Sequence, residues 1–152
     1  MTAELVPIFS ELIRLEIELW NAAEARLRND FGLVLSRYEP MRVIATRDSC
    51  RVNTIASELV ITVGGASKLV DRIEASGHCR RRPDPNDGRS SIIELTPAGR
   101  RLLVKATAAL EAELSVRLSG GLSPRALAQF ASYLSELRAV GHAADAAGRT
   151  AS

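Results

Sequence analysis

Apolar residues dominate the start of the chain at three- and four-residue steps: Leu5, Ile8, Phe9, Leu12, Leu15, Leu19, Ala23 and Leu27. That spacing predicts a long amphipathic helix from about Leu5 to Asn29. A second stripe of Val6, Ile13, Ile17 and Trp20 lies on a neighbouring face. Two apolar faces imply burial from both sides, as in a subunit interface. Ser36-Arg37-Tyr38-Glu39 reads as a capping box opening a second helix through about Thr46. Asn53 is expected to cap a third, with Ile55, Ala56 and Leu59 facing inward. Thr62 is expected to cap a fourth. There Ala66, Leu69, Val70 and Ile73 form the inner stripe, Ser67, Lys68, Asp71 and Arg72 stay outside, and Gly77 closes the helix left-handed.

Beyond Gly77 the period changes. Two strand-compatible runs, Cys79–Pro83 and Ser90–Leu95, flank Asp-Pro-Asn-Asp-Gly-Arg and predict a β-hairpin with a long, charged tip. Thr96-Pro97 then starts a helix that Leu102, Leu103, Ala106, Leu110, Leu114 and Leu118 carry to a stop at Gly120-Gly121. Ser123-Pro124 repeats the start signal, and Leu127, Phe130, Leu134 and Leu137 mark a last helix. Residues 142–152, rich in Ala and Gly, are expected to form a flexible tail.

Composition narrows the class more than the function. A chain of 152 residues with 46% hydrophobic and 25% charged residues fits one ordinary globular core. No apolar run approaches the ~18 residues of a membrane span. The N-terminus does not read as a signal peptide, and two cysteines without zinc-like spacing point to a reducing cytoplasm. Aromatic residues, at 4%, are too few for a single-strand stacking surface. The net charge of +2 is unevenly spread: residues 37–101 hold twelve Lys/Arg against eight Asp/Glu, the remainder eight against ten. A basic middle between mildly acidic ends suits a polyanion partner such as nucleic acid.

Gly64-Gly65-Ala66-Ser67-Lys68 raises the question of a phosphate-cradling loop, but its spacing is not that of a P-loop. His78 and His142 stand far apart, and no nucleophile or metal-ligand spacing is present, so no catalytic site, cofactor or metal is expected. The order of elements instead describes a winged helix-turn-helix. In that arrangement a helix enters the major groove and a hairpin tip reaches the adjacent minor groove.

The run Ser67–Gly77, followed by Arg80–Gly99, resembles the MarR family of bacterial transcriptional regulators. The resemblance rests on Val70-Asp71-Arg72-Ile73-Glu74, Asp87-Gly88-Arg89 and Leu95-Thr96-Pro97-Ala98-Gly99 in that order. It implies a mainly α fold with a small β-hairpin wing (α+β). Residues 1–34 and 97–141 would form a helical dimerisation region, and 35–96 the winged helix-turn-helix DNA-binding lobe. It further implies a homodimer with interleaved terminal helices, acting as an effector-responsive repressor on a pseudo-palindromic double-stranded DNA operator in the cytoplasm.

The residues expected at DNA are Thr62, Gly64, Gly65, Ser67, Lys68, Arg72, Arg82, Asp87 and Arg89. Arg89 matches the wing arginine that enters the minor groove, and Asp87 the acid that orients it. Among Arg80, Arg81 and Arg82, strand alternation allows only some to face DNA, with Arg82 or Arg80 assigned to phosphate. Arg72 has an equal alternative in an ion pair with Asp71 or Glu74. Trp20 and Tyr38 are candidate lining for a small-molecule effector whose identity the sequence does not name, with core packing as the competing role. Gly64 and Gly65 depart from the side chains common in the family and would let backbone approach the groove. Cys79, beside His78 and three arginines, is a candidate redox site through a lowered thiol pKa, against the plainer reading of a small buried residue. Alternative readings are a cysteine-based redox-responsive regulator or a winged-helix module that binds protein and no operator.

Overall fold

The computed structural model describes residues 4–150. It divides into two units, Met1–Glu113 and Leu114–Ser152. In the first unit, α1 runs Leu5–Phe31, α2 Leu35–Thr46, α3 Val52–Leu59 and α4 Val63–Ala75. Strands β1 (Cys79–Asp84) and β2 (Asp87–Leu95) follow, and then α5 (Pro97–Leu114). The fold is therefore mainly α with one antiparallel two-stranded hairpin. Among the described residues, no helix is long and apolar enough to cross a membrane.

The core of the lobe follows the inward stripes predicted for α3 and α4, except that Leu59 and Leu69 are only half-buried. Ile55 and Ala56 of α3 and Ala66, Val70 and Ile73 of α4 are buried, as are Met41 and Ile44 of α2 and Ile92, Ile93 and Leu95 of β2. The amide of Ile93 also donates to the carbonyl of Cys50 (2.8 Å), fastening the hairpin root to the segment before α3.

Helix starts divide into two kinds. Thr62 caps α4 by accepting from the Gly65 amide at 3.0 Å. Thr96 does the same for the Gly99 amide at 3.0 Å, and Ser123 for the Ala126 amide at 3.2 Å. These three follow the sequence expectation. The other two differ. Ser36 does not cap α2; Glu24 of α1 accepts from the Leu35 amide (2.6 Å), so the satisfying carboxylate comes from another helix. Asn53 lies inside α3, where Thr54 Oγ1 accepts from the Arg51 amide (3.1 Å).

The end of α4 has a left-handed Gly77 (φ +77°). The His78 amide donates to the Ile73 carbonyl (3.1 Å) and the Gly77 amide to that of Glu74 (2.9 Å). This paired closure directs the chain into β1. At Gly99 the constraint is space: a Cβ there would stand 2.0 Å from the His78 carbonyl oxygen. With Thr96 donating to the carbonyl of Gly77 (2.6 Å), Gly99 brings the start of α5 hard against the entry to the wing.

The hairpin pairs Cys79 with Leu95 and Arg80 with Glu94, and an irregularity falls at Pro83/Asp84. The strands reach further than expected: Asp84 pairs with Asp87, so the tip is a tight turn and not a long loop.

In the second unit, a π-helical turn at Ser115–Ser119 precedes α6, Pro124–Thr150. The α-helix before Gly120 thus ends at Leu114, earlier than its leucine repeat predicts. The flexible tail expected from residue 142 is instead helical through Thr150; residues 151–152 lie outside the described residues.

Candidate nucleic-acid interface

Helix α4 carries three lengthwise stripes. Ala66, Val70 and Ile73 point into the core. Gly64, Lys68 and Arg72, four residues apart, share the outermost face and are all exposed. Between them, Ser67, Asp71 and Glu74 face the wing.

Arg81 of β1 occupies that wing-facing stripe. Its side chain is about a quarter exposed, and Nη2 donates to Asp71 Oδ1 at 2.7 Å while Nη1 donates to Glu74 Oε1 at 3.1 Å. Nη2 also reaches the Ser67 carbonyl at 3.5 Å, and the Arg81 amide donates to Glu74 Oε2 at 2.9 Å. Burial works against the cation. The hydrogen bonds and charges of Asp71 and Glu74 outweigh it and hold the guanidinium above its ordinary pKa. Sequence reading divided the three arginines by strand alternation and left Arg81 without a role. The pairing of a strand arginine with acids at i and i+3 of the preceding helix is the signal that could have found it.

Arg81 also removes the ion-pair alternative at Arg72. The acids proposed as partners of Arg72 belong to Arg81, and among the described residues Arg72 has no ion pair. Lys68 likewise has none. Arg82 is different: its Nε donates to Glu94 Oε1 at 2.5 Å, and Arg80 Nη2 reaches Glu94 Oε2 at 3.3 Å. The Arg82 hydrogen bond, foremost, holds the Glu94 carboxyl below the usual range. Either arginine must leave or share this carboxylate to meet a phosphate.

A second clasp holds the tip end of the wing to the start of α3. Arg51 pairs with Asp84 and hydrogen-bonds Ser90. Asp84 is buried, and its pKa is lowered first by the Asn86 amide (2.9 Å) and then by Arg51. Arg89 stands exposed near the tip, where Asp87 Oδ1 accepts from its backbone amide at 3.0 Å. Asp87 therefore shapes the turn beneath Arg89, leaving the guanidinium unpaired among the described residues.

The two glycines of α4 separate on geometry. A Cβ at Gly65 would lie 3.1 Å from Thr62 Oγ1, crowding the cap. At Gly64 nothing lies within 4 Å, so the chain's own packing does not demand a glycine there.

The remaining expectations fall away from this face. Tyr38 is buried, its hydroxyl 3.0 Å from Thr107 Oγ1, and is a core side chain with a satisfied polar tip. Trp20 is 44% exposed on α1 beside Glu16, Ile17 and Asn21. Cys79 is buried, with its thiol 3.7 Å from the Val70 carbonyl. Desolvation pushes its pKa up to about 11, with Glu74 adding to the rise and Arg81 opposing it. The lowered pKa expected from the neighbouring arginines is corrected: their charge is spent on carboxylates, and burial dominates. Cys50 is buried and raised to about 11 for the same leading reason.

A helix-turn-helix of α3 and α4 with a β1–β2 hairpin beside it defines a winged-helix protein. Residues 33–91 match the sequence profile of the MarR family. That match lies within the winged-helix lobe, less than half of the chain, and marks a likeness to the MarR family there. It is 28% identical over 95 residues to the uncharacterized HTH-type transcriptional regulator YkoM of Bacillus subtilis, covering 62% of this chain and 61% of that protein. It is 37% identical over 70 residues to the HTH-type transcriptional regulator TtmR of Methylorubrum extorquens, covering 46% and 36%. The matched segments thus span less than two thirds of either relative. Among solved structures, AbsC, a MarR family transcriptional regulator from Streptomyces coelicolor, superposes with TM-score 0.82 at 19% identity over 94% of this chain and 97% of that one. Sco3205 from the same organism, in complex with DNA, gives 0.79 at 23% identity over 94% and 89%.

Proposed function

We propose that the protein is a sequence-specific double-stranded DNA-binding transcriptional regulator, a repressor acting as a homodimer on a pseudo-palindromic operator. The observation that carries this reading is the sorting of cations on the lobe. Arg51, Arg80, Arg81 and Arg82 are engaged by carboxylates, while Lys68, Arg72 and Arg89 are exposed with no ion pair among the described residues. Those three sit on the outer face of α4 and near the wing tip, where phosphates and groove edges of a duplex would meet them. Gly64 continues the same stripe and leaves space for close approach. Curated relatives described as HTH-type transcriptional regulators, and a structural neighbour solved with DNA, support the reading.

The dimer is proposed from the apolar face of α1. Leu5, Val6 and Phe9 are 77%, 74% and 62% exposed, and Ile8, Leu12, Ile13 and Ile17 are exposed as well. A second copy is the occupant that covers such a face and also places two recognition helices about 34 Å apart, one helical turn of DNA. A small-molecule effector would act by favouring one spacing of those helices over another.

The test is a titration of the purified protein against footprinted genomic fragments over a range of salt. Affinity should fall steeply with salt, and Arg89→Ala should weaken operator binding by roughly 1–3 kcal/mol with the dimer intact. Lys68→Ala should weaken it and reduce the salt slope by about one. Absence of sequence-preferring binding at low salt would leave the protein-binding module as the better reading.

A further inference from the structure

The three contacts of Arg81 on α4 fall at Ser67, Asp71 and Glu74, spaced i, i+4 and i+7 along two turns of one face. One planar guanidinium on the wing therefore fixes both the height and the rotation of the recognition helix. Its register matters because Gly64, Lys68 and Arg72 lie on the adjoining outward stripe. A rotation of α4 that broke the Arg81 contacts would swing that stripe away from the direction the wing defines. The Arg51–Asp84 clasp fixes the opposite end of the hairpin to α3, so the wing is held at two points.

We infer that Arg81 is a positioning residue for operator recognition: it touches no DNA but sets the angle between major-groove and minor-groove contacts by tying β1 to α4. The inference rests on the DNA-binding reading above. It predicts that the fork shape of the side chain matters, not its charge alone. A lysine supplies the same charge but cannot span three acceptors with a rigid plane.

Two variants test it, each measured against the operator and against non-specific duplex of equal length. Arg81→Lys should lower operator affinity about tenfold while non-specific affinity stays level. Asp71→Asn/Glu74→Gln removes the tie from the other side, at positions 62% and 41% exposed. Loss of two acids beside a polyanion should raise affinity for any duplex, yet the ratio of operator to non-specific binding should fall about tenfold. Thermal melts of both variants separate this from general unfolding, since the non-specific arm requires a folded lobe. Should either variant keep the wild-type ratio, Arg81 is only a surface ion pair and the inference is overturned. A wild type that shows no operator preference at all overturns the regulator reading itself, and this one with it.

Discussion

Val60 has φ +55°, a left-handed conformation that a β-branched residue rarely holds, and its side chain is 74% exposed. It sits in the turn between α3 and α4, where the Ile61 amide donates to the Ala56 carbonyl at 3.0 Å. The left-handed strain costs about 1–2 kcal/mol, and a glycine gives back about 0.5–1 kcal/mol in chain entropy. Val60→Gly should therefore stabilise the protein by roughly 0.5–1 kcal/mol, read as a higher denaturant midpoint; an unchanged or lower midpoint refutes the strain. Nothing in a valine announces such a turn, and the sequence marks it only as the lead into Thr62. At Cys79 the plainer reading of a small buried residue holds, and the redox candidate fails for a related reason. Charge near Cys79 was legible, but its burial and the prior engagement of the arginines depend on packing. At a pKa of about 11, roughly one thiol in a thousand is ionised at pH 8. Both cysteines should resist iodoacetamide until the protein unfolds, and rapid native labelling of Cys79 would revive the redox alternative.

Elements whose signals are local were readable; those settled by distant partners were not. Thr62, Thr96 and Ser123 each cap an amide three residues on, so a short window of sequence contains both partners. The start of α2 depends on Glu24, eleven residues earlier on another helix, and no window around Ser36 contains it. The wing shows the same division. Its two strands were legible but not their reach into a tight turn, while the clasps of Arg51 and Arg81 arise from pairings across 33, 10 and 7 positions of sequence. The ion pairs of Asp84 with Arg51 and of Glu94 with Arg82 and Arg80 make the wing acid-sensitive. Asp84 and Glu94 both titrate below the usual carboxylate range. A depressed carboxyl contributes stability above its unfolded value of ~4 and loses it as pH falls through the folded one. The melting temperature should hold from pH 7 to about 5 and drop below about 4, with Asp84→Asn blunting the drop. A melting temperature that rises on acidification contradicts the assignment.

Across the whole molecule, the winged-helix fold was legible because its motifs keep their order, but what the terminal helices do is written only as unpartnered surface. α1 buries just Ala23 and Leu27. Within its own chain α6 buries no side chain among the described residues, and Tyr133, Leu134, Leu137 and Val140 are exposed. If a second copy covers α1, Phe9→Glu/Leu12→Glu should yield monomers in sedimentation and abolish operator binding while the helix-turn-helix stays folded; a variant that still sediments as a dimer places the interface elsewhere. The bare length of α6 has a further consequence. A 27-residue helix with no buried side chain among the described residues draws most of its stability from whatever covers it. If that cover is a second copy, newly made chains would be open to proteolysis until they pair, and pairing grows with the square of their number. On that reading the protein has a built-in threshold: at low copy number unpaired chains would be cleared, and only above that level would they accumulate as a durable species.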